Sequence, residues 1–321
     1  MTERVTIVVP GDQPAQIQGS PHLERLEPYG EVVVYTDRPG SPDEQLRRAR
    51  DATVMLNSRG AVKWPAELLR QLPRLRMITV FGIGTDMVDL AAARELGIVV
   101  CNIPGKTAPV VAEHAFGLML ACAKRVVFQA DELRAGRWGT RIDNLYLHSK
   151  SLGVIGVGNI GARMARLGRA IEMRVLAWTF HPSPERAAAL GVEFVELDEL
   201  LRRSDVVSLH VKLTDESRGL IGRRELGLMK PGAILVNAGR GALVDEAALL
   251  EALESGHLGG AGLDVFTQEP LPPDAPILRC RQVVLTPHNA DSTPEGIDFL
   301  NEGAVDNAIA FLEGHPVNVV A

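Results

Sequence analysis

Cysteine is scarce in this chain: Cys101, Cys122 and Cys280 are the only three in 321 residues. An odd number of widely spaced cysteines excludes a disulfide framework and reads as reduced small hydrophobes in a cytoplasmic protein. No Cys/His cluster has zinc-ligand spacing, so no metal is expected. A basic excess is also missing. The net charge of −6 gives no field that would gather nucleic acid or an anionic membrane, and neither is expected as a partner. No apolar run approaches the roughly 20 residues of a bilayer span. The N-terminal MTERVTIVVPGDQ has a short apolar run that Pro10 and Gly11 stop at once, which suits a first β-strand rather than a signal peptide. Low-complexity tracts and short-period repeats are absent.

What remains is ordinary globular composition, 46% apolar and 23% charged, in a chain long enough for two domains. Short β-branched runs recur at Val5–Val9, Val32–Tyr35, Thr53–Leu56, Met77–Val80 and Ile98–Cys101. Helical stretches separate them, including 43–51, 65–71 and 87–96. Strands alternating with helices predict an α/β fold with a parallel sheet covered on both faces. The nearly uncharged stretch Pro109–Val127 then predicts one long helix buried between domains or subunits. A second α/β unit begins at Ser151, with strands expected at 152–156, 173–178, 194–196, 206–209, 233–237, 260–264 and 283–286. Helices are expected at 160–171, 184–190, 197–203, 223–228 and 246–254, and a tail helix at 294–312 that packs back on the first unit.

The first chemical signal is LGVIGVGNIG at 152–161, a strand running into a helix through Gly156-x-Gly158-x-x-Gly161. Gly156 permits the tight turn, Gly158 lets backbone approach a pyrophosphate, and Gly161 lets helix and strand pack closely. The following helix N-terminus offers N–H groups and a positive dipole end to phosphates. The acid that would hold an adenosine ribose, some 20 residues on, is missing. Thr179 stands there, and no Asp or Glu occurs between Glu172 and Glu185. Either the ribose of NAD is held without a carboxylate, or repulsion against a 2′-phosphate has been removed. His181, Arg186 and Lys212 are the nearby groups that could meet such a phosphate, which tilts the reading of an NAD(P) site toward NADP.

Four further residues stand at expected strand ends, where open α/β sheets bind ligands. Arg240, between two glycines in ILVNAGRGALVDE, could clamp a carboxylate or polarise a ketone oxygen. Asp264 and Glu269 lie in GAGLDVFTQEPL, and His288 in VVLTPHNADS. Histidine is the usual proton donor and acceptor near neutral pH, and a nearby Glu would orient it.

Seven segments in order, FGIGTDMVDL, CNIPG…VVAEH, GVIGVGNIG, SLHVKLT, VNAGRGALVDE, LDVFTQEP and TPHNAD, resemble the D-isomer-specific 2-hydroxyacid dehydrogenases over nearly the whole chain. The resemblance implies two Rossmann-like or flavodoxin-like domains with parallel sheets. A nucleotide domain, 103–291, would be inserted into a discontinuous substrate domain, 1–102 plus 292–321. It implies that Arg240 binds the substrate carboxylate and carbonyl, that His288 is the acid/base and Glu269 its partner, and that Asp264 holds the nicotinamide carboxamide. The loop Gly82–Gly84, with the amides of Ile83 and Gly84, would meet the substrate carboxylate. Gly158, Asn159 and Ile160 would clamp the pyrophosphate, His210 and Thr214 would wall the adenine pocket, and Ala238 would lie beside the nicotinamide ribose. The implied reaction is hydride transfer between NAD(P)H and C2 of a small 2-oxo acid of the glyoxylate or hydroxypyruvate type, giving a D-hydroxy acid. A homodimer is implied, with the 109–127 helix and Trp138 at its interface.

This chain departs from the family pattern at Thr179, at Lys212 and at Asn289–Ala290–Asp291 after the histidine, where Asp291 reads as an acid near a helix N-cap. Arg59 could reach a substrate phosphate or serve as a surface or hinge residue. Formate and phosphonate dehydrogenases share the resemblance, as do dinucleotide-regulated corepressors. The full Arg/Glu/His set speaks against the corepressors.

Overall fold

The computed structural model describes residues 5–58, 62–138 and 143–321; Arg59 lies outside the described residues. The chain divides into two compact units, Met1–Thr107 with Ser292–Ala321, and Ala108–Asp291.

The first unit carries strands β1 (Thr6–Val9), β2 (Glu31–Val34), β3 (Val54–Asn57), β4 (Met77–Val80) and β5 (Val99–Cys101), with helices α1 (Pro42–Ala49), α2 (Ala66–Leu69) and α3 (Leu90–Glu95). The sheet runs β2-β1-β3-β4-β5 and its pairs are parallel. β3 and β4 are buried throughout, as central strands of a sheet covered on both faces must be. Helix starts follow local chemistry: Ser41 caps α1 ahead of Pro42, and Asp89 caps α3 by accepting from the Ala92 N–H at 2.9 Å.

The second unit opens with α4 (Ala108–Ala123) and α5 (Val126–Arg134). The single helix expected over 109–127 is therefore broken. Arg125 takes a left-handed φ of 47°, and the Leu145 N–H pairs with the Ala123 carbonyl at 2.8 Å where the helix would have continued. Then follow β6 (Ser151–Ile155), α6 (Asn159–Ala170), β7 (Arg174–Trp178), α7 (Pro184–Leu190), β8 (Glu193–Phe194), α8 (Leu197–Arg203) and β9 (Val206–Leu209). The unit closes with α9 (Arg223–Leu228), β10 (Ile234–Asn237), α10 (Glu246–Glu254), β11 (Gly260–Leu263) and β12 (Val283–Leu285). The parallel order is β12-β11-β10-β9-β6-β7-β8, so the chain reverses direction across the sheet between β6 and β9, beside the glycine loop. Most strand ends differ from expectation by a single residue; the 194–196 strand shifts to Glu193–Phe194.

Helix α11 (Pro294–Leu312) returns to the first unit, where Val305 and Ala308 pack with Ile7, Val9, Leu56 and Met77. The unit boundary falls at Thr107/Ala108 rather than 102/103, because the intervening residues are tied to α11. Ile103 packs on Leu300 and Ala304, the buried Asn307 Nδ2 donates to the Asn102 carbonyl at 2.9 Å, and Lys106 pairs with Glu302 at 2.7 Å.

Candidate active site

The glycine loop joins β6 to α6. Gly156 has φ +90°, and a Cβ there would stand 2.7 Å from the His210 carbonyl carbon, so only glycine passes. A Cβ on Gly161 would collide with the Gly156 carbonyl oxygen. Gly158, the N-cap of α6, has open space where its side chain would be, and no side chain caps the helix. Open backbone at a helix N-terminus, next to Asn159 and Ile160, is a cradle shaped for a pyrophosphate, so the residues fit a dinucleotide.

Beyond β7, Thr179 and His181 lie on the loop that precedes α7. Arg186, from the first turn of α7, donates to the His181 carbonyl at 2.8 Å and to the Val157 carbonyl at 3.1 Å. Its guanidinium therefore bridges this loop and the glycine loop. After β9, His210 bonds through Nε2 to the Ser208 hydroxyl at 2.9 Å, and burial pushes its pKa down to about 4, so it is neutral at pH 7. Thr214 and Lys212 are exposed, and the Thr214 N–H donates to Ser217 Oγ at 2.8 Å.

The ends of the neighbouring strands β10, β11 and β12 carry the remaining residues. Asn237 closes the turn containing Ala238: its Oδ1 accepts from the Gly239 N–H at 3.0 Å and its Nδ2 donates to the Arg240 carbonyl at 2.9 Å. Arg240 donates to the Gly239 carbonyl at 2.8 Å. Gly241 lies so close to the Phe266 backbone that any Cβ would clash, which locks the Arg240 turn to the loop after β11.

On that loop, Glu269 Oε1 accepts from the Phe266 N–H at 2.9 Å, while Oε2 meets His288 Nδ1 at 2.6 Å. Burial pushes the Glu269 pKa up, but the His288 bond and charge, the Phe266 N–H and the Arg240 charge outweigh it and hold Glu269 below the ordinary carboxylate value. Arg240, Glu269 and His288 thus form one group, with Glu269 ionised at neutral pH. His288 sits at φ +49°, held by its N–H to the Asp264 carbonyl at 2.7 Å.

Asp264 is 1% exposed. Its Oδ1 accepts from Thr286 Oγ1 at 2.6 Å and from the Asn289 N–H at 3.0 Å, and Oδ2 accepts from the Ala290 N–H at 3.1 Å. His114 on α4 completes this group, with Nε2 2.9 Å from Thr286 Oγ1 and 3.5 Å from Asp264 Oδ1. In the sequence His114 closes the VVAEH segment and Thr286 opens TPHNAD, and no local pattern gives either a role. The available signal was a lone histidine on an almost uncharged helix. The helix that starts after Asp291 is capped by Thr293, which accepts from the Gly296 N–H at 3.0 Å.

In the first unit, Ile83 and Gly84 follow β4. Asn102 braces the loop by donating to the Ile83 carbonyl at 2.9 Å, and the Ile103 N–H donates to the Gly82 carbonyl at 2.8 Å. Among the described residues no cluster of three or more His, Cys, Asp or Glu side chains is placed to hold a metal, and no helix is long and apolar enough to cross a membrane.

A dinucleotide cradle beside strand ends bearing Arg, Glu and His defines a nicotinamide-dependent oxidoreductase. Comparison with known proteins narrows this. Residues 116–290 match the NAD binding domain of D-isomer specific 2-hydroxyacid dehydrogenases. The glyoxylate reductase of Aeropyrum pernix is 40% identical over 308 residues, covering 93% of this chain and 92% of that protein. D-lactate dehydrogenase from Aquifex aeolicus, complexed with NAD and lactic acid, aligns with a TM-score of 0.85 at 30% identity over 96% of each chain. An acyclic imino acid reductase in complex with NADPH and D-Arg aligns at 0.89 with 27% identity, covering 99% of this chain and 100% of that one. The chain belongs to the D-isomer specific 2-hydroxyacid dehydrogenases. It is an NAD(P)-dependent enzyme of that family, acting on the CH–OH group, with the two-domain parallel α/β fold.

Proposed function

We propose that the enzyme reduces glyoxylate and hydroxypyruvate, with Arg240, Glu269 and His288 as its catalytic residues. The observation that carries the reading is the 2.6 Å bond between His288 Nδ1 and an ionised Glu269 under the charge of Arg240. The bound nicotinamide supplies the hydride. Arg240 binds the substrate carboxylate and stabilises negative charge on the C2 oxygen as it develops. With Nδ1 committed to Glu269, His288 offers Nε2–H and donates that proton to the oxygen, while the Glu269 carboxylate stabilises the protonated ring. In the first unit, Ile83 and Gly84 are the proposed substrate-binding positions.

For the cofactor, Gly156, Gly158, Asn159, Ile160 and Gly161 hold the pyrophosphate, His210 and Thr214 flank the adenine, and Ala238 and Asp264 belong to the nicotinamide end. NADPH is the proposed partner over NADH. The absence of an acid at Thr179 and the position of Arg186, which donates to the His181 carbonyl and to the Val157 carbonyl of the glycine loop, support this. A homodimer in the cytoplasm completes the proposal. Exposed Val126, Leu133 and Trp138 on and after α5 support the dimer.

The test is a paired assay of NADH and NADPH oxidation with each 2-oxo acid, in the native enzyme and in Arg186→Ala. Native preference for NADPH, lost in the variant by a KM increase of about 10- to 100-fold, the worth of one charge-assisted bond, is the expected result. Equal or better use of NADH by the native enzyme overturns the cofactor assignment. No turnover with any 2-oxo acid, but NAD reduction by formate or phosphite, overturns the substrate assignment.

A further inference from the structure

We infer that His114 is a positioning residue for the reduction: through Thr286 it fixes the Asp264 carboxylate, and that carboxylate builds the loop that aims the His288 ring. The inference rests on His288 being the proton donor proposed above.

The direction of the bonds follows from proton count. A threonine hydroxyl has one proton to give. The shorter bond, 2.6 Å, goes to Asp264 Oδ1, so toward His114 the Thr286 oxygen is an acceptor, and the 2.9 Å contact requires a proton on His114 Nε2. Donation runs from His114 to Thr286 to Asp264. The carboxylate spends its remaining capacity on the loop, taking the Asn289 and Ala290 amides while the Asp264 carbonyl takes the His288 amide. These bonds hold His288 at φ +49°, where a residue other than glycine stays only if its surroundings over-determine it.

The carboxylate is almost fully buried, so a lost donor is not replaced by water. The fold places His114 there deliberately. Gly262 on β11 has so little room that its missing Cβ would stand 2.9 Å from Leu118 Cβ, which seats α4 directly on the strand. His114, one turn before Leu118, then comes over the strand end at Asp264.

The experiment compares full-length His114→Leu, His114→Gln, Thr286→Val and His288→Asn with the native enzyme. It measures kcat and KM for glyoxylate, and reduced-cofactor Kd from nicotinamide fluorescence. A misaimed proton donor costs about 10- to 100-fold in rate. His114→Leu and Thr286→Val are expected to lose that much in kcat at saturating cofactor, with glyoxylate KM within about threefold of native. His114→Gln, whose amide can still donate to Thr286, is expected to recover most of kcat. Loss confined to KM or Kd, equal loss in Leu and Gln variants, or native kcat in His114→Leu overturns the inference. If His288→Asn keeps kcat within tenfold of native, the proton-donor reading fails instead. If it abolishes turnover while His114→Leu does not, only the present inference fails.

Discussion

Replacing Gly241 by alanine tests whether the ends of β10 and β11 act as one rigid frame. A Cβ at this position would meet the carbonyl carbon and oxygen of Phe266 and the nitrogen of Thr267, all more than 1 Å inside ordinary 3.4 Å contact. All three are backbone atoms, so no side chain can turn aside, and the two loops must separate by more than 1 Å. Arg240 rides on one loop and Glu269 on the other. Misplacing catalytic groups by about 1 Å costs on the order of 100-fold in rate. Overpacking costs about 1–3 kcal/mol, which lowers Tm by about 3 to 9 °C in a domain of this size. The glycine loop lies on β6, away from the insertion, so adenosine-end affinity should change little. The assay is kcat for glyoxylate reduction, corrected for the folded fraction, beside Tm and the fluorescence-measured Kd of the reduced cofactor. A variant that is folded, binds cofactor normally and keeps kcat within fivefold would refute the claim that the packing of Gly241 on Phe266 sets the spacing of Arg240 and Glu269.

Other expectations follow from particular contacts. Glu269→Gln keeps the shape of the pair but removes the charge that stabilises protonated His288. Its kcat should fall by about 100-fold or more with glyoxylate KM little changed, and a fall below tenfold in stopped-flow hydride transfer would contradict the assigned role. Gly161→Ala forces the new methyl into the Gly156 carbonyl, so isothermal titration should show cofactor affinity lost while far-ultraviolet dichroism stays native.

Glu132 is held at a pKa of about 2 by Arg137 and Arg281. A carboxylate depressed on folding contributes stability above its ordinary value of 4.5 and loses it as pH falls toward 2. The native Tm should drop across that window, and Glu132→Gln should flatten the drop; parallel curves would exclude the linkage. Trp138, 89% exposed, should anchor the proposed dimer, so Trp138→Glu should shift light-scattering mass toward the monomer with no loss of Tm at low concentration.

Local chemistry alone determined much of this protein. Helices over 184–190, 197–203, 223–228, 246–254 and 294–312 lie where their sequences place them, and three of them start at caps, Ser183 before Pro184, Asp245 before Glu246 and Thr293 before Pro294, that act over three residues. The glycine loop was legible for the same reason, since strand, turn and helix are contiguous there. Tertiary structure decided what depends on distant segments. The helix break at Arg125 follows from Leu145 claiming the Ala123 carbonyl, 22 positions along the chain. The boundary at Thr107 follows from the grip of α11 on residues 102–106. His114 and Asp264 stand 150 positions apart in the sequence and meet because Gly262 lets a helix rest on a strand. Residue types reveal which groups can donate, accept or carry charge, but which of them share a proton is set by packing between elements, and no local pattern encodes that.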